Sequence, residues 1–117
     1  MKECEIYPSA PFAEDPACAR LKKKVRKSFM EVGKSPDSHV YDIDERFLAH
    51  NPSPASFFLR RLKGFYDGLD AFKKRIFISE CLEVGRIYPF WYYGWMSPSC
   101  YRKERKSVIE AFKETFR

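Results

Sequence analysis

The stretch SFFLRRLKGFYDGLDAFKKRIFISECLEV, residues 56–84, decides the fold. Its apolar residues Phe58, Leu62, Phe65, Leu69, Phe72 and Ile76 follow one another at intervals of 4, 3, 4, 3 and 4. That is the stripe of an amphipathic helix with one face turned to a core. The spacing predicts a helix over 56–85, a rod of roughly 40 Å at 1.5 Å per residue, with Ser56 as its N-cap. Gly64 and Gly68 count against an unbroken rod, each costing about 1 kcal/mol relative to Ala. Asp67-Gly68 is also a good turn pair. The apolar register runs across both glycines, so one helix, bent if anything, is the expectation. The G-x-x-x-G spacing holds Tyr66 and Asp67 and follows Lys63. It reads as close helix packing in a soluble core rather than as a lipid-helix contact.

Beyond this stretch lies IYPFWYYGW, residues 87–95, in which seven of nine residues are apolar or aromatic. Pro89 forbids a regular helix here, so a loop or short extended segment is expected. Such a run either caps the core between the central and last helices or forms an exposed anchor. Base stacking and membrane-interface insertion are further uses. The chain has 20 aromatic residues among 117, more than one small core easily buries. The expectation is therefore a partner-binding surface of Tyr88, Phe90, Trp91, Tyr92, Tyr93 and Trp95.

Working outward, residues 17–33 read as the first helix, with Leu21, Val25, Phe29 and Val32 as its stripe. Asp15 and Pro16 suit its start and Gly33 its C′ position. Arg20, Lys22, Lys23, Lys24, Arg26 and Lys27 crowd the rest of its surface. These charges are either a solvated face whose stems cover apolar surface or a contact for phosphates or an acidic partner. Residues 34–55 read as a linker with a turn at Lys34–Asp37 and a helical turn from Asp44. Residues 99–116 read as a last helix, capped by Ser97 or Ser99, with Tyr101, Val108, Ile109, Phe112 and Phe116 as its apolar face. Residues 1–16, with Pro8, Pro11 and Pro16, read as an extended arm. The fold class is mostly α: three principal helices (about 17–33, 56–85 and 99–116) with proline-rich connections. Residues 17–117 form one small helical domain.

Net charge is +6, and it alternates along the chain as −3, +6, −3 and +6 over residues 1–16, 17–34, 35–55 and 56–117. That balance favours acidic partners. Cys4, Cys18, Cys81 and Cys100 show no CxxC spacing. Glu3 and Glu5 occupy the place of a signal peptide's basic and apolar regions and argue against a cleaved presequence. Reduced thiols in an intracellular compartment, of unspecified identity, are the expectation, although an even count leaves two disulfides open. No apolar run reaches the length of a membrane span.

Chemistry is not advertised. His39 and His50 lie 11 residues apart without a ligand at i+3 or i+4. Asp42, Asp44 and Glu45 read as a solvated acidic loop. Cys81 reads as a small buried hydrophobe. There is no phosphate loop, GxSxG elbow or HExxH. No catalytic residue, metal ligand, cofactor or small-molecule substrate is assigned. Ser35-Pro36, Ser53-Pro54 and Ser97-Pro98 read as turns.

Pro54-Ala55-Ser56-Phe57-Phe58-Leu59-Arg60-Arg61 resembles the opening of an HMG box of the fungal mating-type kind. Pro89-Phe90 with Trp95 is similar to a later element of the alpha-box variant. Over residues 52–117 the resemblance implies minor-groove binding, with an apolar wedge near Phe57 and Phe58. Pro89 falls where the box has its second helix, and the tryptophan spacing differs, so no family is assigned on it.

The leading expectation is a non-enzymatic accessory or structural subunit that docks on a larger assembly through its aromatic run and basic helix. The alternative is a nucleic-acid-binding module using Arg20 to Lys27 with Arg60 and Arg61.

Overall fold

The computed structural model describes residues 15–82 and 91–116. Among them are five α-helices: α1 (Pro16–Glu31), α2 (Glu45–His50), α3 (Pro54–Asp67), α4 (Ala71–Phe77) and α5 (Pro98–Thr115). A 3-10 turn (Val40–Asp42) precedes α2, and one turn of π-helix (Ile78–Leu82) continues α4.

Each helix starts on a side-chain cap: Asp15, Asp44, Ser53, Asp70 and Ser97 accept from backbone N–H groups of the first turn. Three of these caps are followed by proline at the first helical position, Pro16, Pro54 and Pro98. Proline fits there because its missing N–H would be an orphan donor and its fixed φ is already helical. Pro16 thus belongs to α1, and Ser53-Pro54 and Ser97-Pro98 start helices rather than turns. Ser35-Pro36 does lie in a turn, where the Asp37 amide donates to Ser35 Oγ at 3.2 Å.

At the far end of α1, Gly33 takes φ of +82°. The Lys34 amide reaches Phe29 O at 2.8 Å and the Gly33 amide reaches Met30 O at 3.0 Å. This is the Schellman pattern, and glycine adopts its left-handed backbone without steric cost.

The expectation of one central helix is corrected. The segment is split: α3 ends at Gly68, and α4 starts on Asp70, whose carboxylate accepts from Lys73 N at 2.8 Å. The Gly64/Gly68 packing expectation also fails, because both glycines are exposed and a Cβ at Gly64 would meet nothing within 4 Å. Nor is Ser56 the N-cap. Ser53 takes that place, accepting from Ser56 N at 3.0 Å, while the buried Ser56 hydroxyl donates to Asn51 O at 2.7 Å.

The core forms where α1 packs on α3 and on the π turn, and where α4 packs on α5. Phe29, Leu59, Leu62, Ile76, Phe77 and Phe112 are its buried centre. The segment before α3 closes one end with Val40, Ile43 and Leu48, all buried. It is held to α1 by an ion pair, Arg26 to Asp37 at 2.6 Å. No helix among the described residues is long and apolar enough to cross a membrane.

Candidate docking cleft

Arg20 and Lys24 are one turn apart on α1 and share a face. That face lies opposite Phe58 and Arg61 of α3 and Phe112, Lys113 and Phe116 at the end of α5. Together these residues bound an open cleft of about 690 Å³.

The floor is aromatic. Phe116 stands edge-on to Phe58 at 5.8 Å, and Phe112 lies 6.2 Å from it. The rim is cationic. Lys24 Nζ sits 4.6 Å from the centre of the Phe58 ring, and the Arg61 guanidinium 5.0 Å from that of Phe116. Both are cation–π distances. Arg61 also donates to Thr115 O at 2.5 Å. Lys113 reaches Asp15 at 3.1 Å. Burial pushes the Asp15 carboxyl up, but hydrogen bonds from Lys113 and from the Ala17 amide outweigh it and hold the group below the ordinary carboxylate value. Arg20 is exposed and makes no ion pair among the described residues. Four cations face one carboxylate, so the cleft is an electropositive concavity with an apolar base.

The other predicted basic residues lie elsewhere. Arg26 is engaged by Asp37, and Lys22 is half-buried. Lys23, Lys27 and Arg60 point to solvent.

The described part of the aromatic run, residues 91–95, packs mainly on the core. Tyr88 and Phe90 lie outside the described residues. Tyr92 is 1% exposed and lies flat on Tyr101. Trp91 packs at 5.3 Å from Phe72 and 5.8 Å from Tyr101, with its indole N–H donating to Ser79 Oγ at 3.2 Å. The Arg75 guanidinium covers its outer face at 4.9 Å. Tyr93 is half-buried against the edge of Tyr92. Trp95 alone of the described aromatics in this run is exposed, at 67%. Trp91 and Tyr92 thus point inward, because the turn after residue 90 lies on α4 and α5. Phe57 and Phe58 also part: Phe57 is 64% exposed, while Phe58 is buried in the cleft floor. They do not make one wedge.

The residues weighed for catalysis have local duties. Asp44 caps α2 through the Arg46 and Phe47 amides. His39 stacks on Tyr41 at 4.9 Å, and His50 sits exposed at the end of α2. No group of three His, Cys, Asp or Glu residues among those described is placed to hold a metal ion.

Sequence reasoning found Arg20, Lys24 and Arg61 as basic residues. It placed Phe112 and Phe116 on the apolar face of the last helix and Phe58 in the central stripe. It did not find that these meet, and it gave Lys113 and Asp15 no part in a site. No signal in the sequence marks Lys113 out, since it is one cation among many on α5. Comparison of the chain with protein-family models, with curated proteins and with solved structures finds no match.

Proposed function

We propose that the chain is a non-enzymatic docking subunit of a larger assembly, and that the cleft between α1, α3 and α5 receives an acidic segment of a protein partner. The observation that carries this reading is the convergence of Arg20, Lys24, Arg61 and Lys113 above a floor of phenylalanine. Carboxylates of the partner meet the rim, and an aromatic or aliphatic side chain rests on Phe58 and Phe116. Buried aromatic and arginine contacts dominate binding energy in interfaces of this kind, while the rim charges set encounter rate and selectivity. Among the described residues Tyr41, Phe47, Phe57 and Trp95 are exposed aromatics that would be available for contact beyond the cleft.

The test is fluorescence anisotropy with a labelled peptide rich in Asp and Glu that carries Phe residues. Controls are the same peptide with Ser for Phe and a single-stranded oligonucleotide. Arg20→Glu with Lys24→Glu should weaken the acidic peptide at least tenfold at unchanged helix content, and the Phe-free peptide should bind more weakly. Equal binding of the peptide by the wild type and the double variant defeats the reading.

A second reading rests on Lys23, Lys27 and Arg60, which face solvent without ion pairs among the described residues. Those cations suit phosphate contacts. Oligonucleotide binding that falls steeply with salt and is lost in Lys23→Glu with Lys27→Glu, but not in the cleft variant, selects a nucleic-acid-binding module instead.

A further inference from the structure

The helical fold brings together two cysteines 63 positions apart in the chain. Cys18, on the first turn of α1, and Cys81, in the π turn after α4, have their sulfurs 2.8 Å apart. Both side chains are fully buried. A hydrogen bond to Cys18 and burial both push the Cys81 thiol up, so in the folded state Cys81 keeps its proton, and burial shields both sulfurs from attack. The third described cysteine, Cys100, is exposed and has no such neighbour.

We propose that Cys18 and Cys81 form a reversible disulfide that staples α1 to the turn after α4. An S–S bond is about 2.05 Å long, so the sulfurs need to approach by only about 0.8 Å, and α1 already packs on this turn. In the step, two S–H bonds break and one S–S bond forms. Two protons and two electrons pass to an oxidised small-molecule disulfide, which leaves as two thiols. Exchange requires a thiolate and access, and the packed state gives reagents access to neither sulfur. Formation therefore belongs to local opening of the π turn or to folding itself, and once formed the bond is shielded from reductant. The closed loop is long, and cross-linking a loop of that size restricts the unfolded chain strongly. The expectation of reduced thiols rested on cysteine spacing and on the acidic start of the chain; the even count left disulfides open but gave no sign of this pairing.

The purified full chain is equilibrated in glutathione buffers of graded oxidised-to-reduced ratio. It is then unfolded with a maleimide present to trap free thiols and mapped by peptide mass. The expected result is a linked Cys18–Cys81 peptide pair, two hydrogens lighter than the dithiol, with Cys100 labelled in the same sample. The melting temperature of the oxidised chain should exceed that of the reduced chain by on the order of 10 °C, and Cys81→Ala should remove that dependence. Maleimide on both Cys18 and Cys81 at every ratio, or linkage of either to Cys100, Cys4 or glutathione instead, overturns the proposal. The mass map uses the unaltered chain and stands even if the alanine variant does not fold.

Discussion

Tyr92 lies flat on Tyr101, with ring centroids 3.7 Å apart and planes within 2° of parallel. The Tyr101 hydroxyl donates to Glu80 Oε2 at 2.7 Å, and the other carboxylate oxygen accepts from Arg105 Nε at 2.8 Å. One stack thus ties the aromatic run to α5, and one carboxylate ties α5 to the π turn.

These phenols should make the fold lose stability at alkaline pH. Burial pushes Tyr92 up to about 12. Burial, reinforced by the Glu80 carboxylate, pushes Tyr101 up as well. Below about pH 10, the unfolded value for tyrosine, native and unfolded states both hold these protons and stability does not depend on them. Above it the unfolded chain releases protons that the native state keeps, so stability falls as pH rises, by up to about 1.4 kcal/mol per pH unit for each tyrosine. Urea unfolding from pH 8 to 12 should be flat and then decline. In Tyr101→Phe the decline should be shallower, from a starting stability lower by about 1–2 kcal/mol through loss of the hydrogen bond to a charged group. A decline of the same slope in that variant contradicts the assignment.

The break between α3 and α4 depends on Asp70 rather than on the freedom of Gly68. Gly68 has φ of −79°, which any residue adopts. A Cβ there would lie 3.6 Å from Gly64 O and Phe65 O, an ordinary contact. Gly68→Ala should therefore be neutral or stabilise by up to about 1 kcal/mol, through a less free unfolded chain. Asp70→Ala removes the cap on Lys73 N and should cost about 1 kcal/mol. Chemical denaturation of both variants checks the order. A destabilised Gly68→Ala would show that the corner needs glycine.

The two tryptophans should separate cleanly. Trp91 loses ring contacts with Phe72 and Tyr101 and its bond to Ser79 when truncated, so Trp91→Ala should destabilise by about 3 kcal/mol. Trp95 touches Phe72 and Trp91 only at 6.0 and 6.1 Å between centroids and is mostly in solvent. Trp95→Ala should change stability by less than about 1 kcal/mol. Thermal melts of the two variants decide the point, and equal losses would mean that Trp95 also belongs to the core.

Much of the helical framework was legible because its signals are local. Asp15-Pro16 and Gly33 bracket α1 in the sequence as they do in the structure. Asp44 was readable as the start of the turn that becomes α2, and Ser97 as one of two candidate caps of α5, although Ser97-Pro98 reads as a turn. Where the reading failed, two local signals competed. The apolar register from Phe58 to Ile76 continues across the corner, since both α3 and α4 turn that side to the same core. The register therefore outweighed the stop at Asp67-Gly68, and the cap at Asp70 went unread. Ser56 reads as the cap when Ser53-Pro54 reads as a turn rather than as a cap followed by a first helical proline.

From the chain alone followed a mostly helical protein with capped elements, a basic first helix and more aromatics than a small core needs. Caps, stripes and proline positions act over three or four residues, so composition and spacing specify them. Only the tertiary packing decided which aromatics face inward, that Lys24 and Arg61 lie over phenylalanine rings, that Lys113 meets Asp15, and that Cys18 meets Cys81. Those partners are 34 to 98 positions apart, on elements whose mutual orientation depends on the whole core. A stripe states that a face is buried, and only the packed helices state against what.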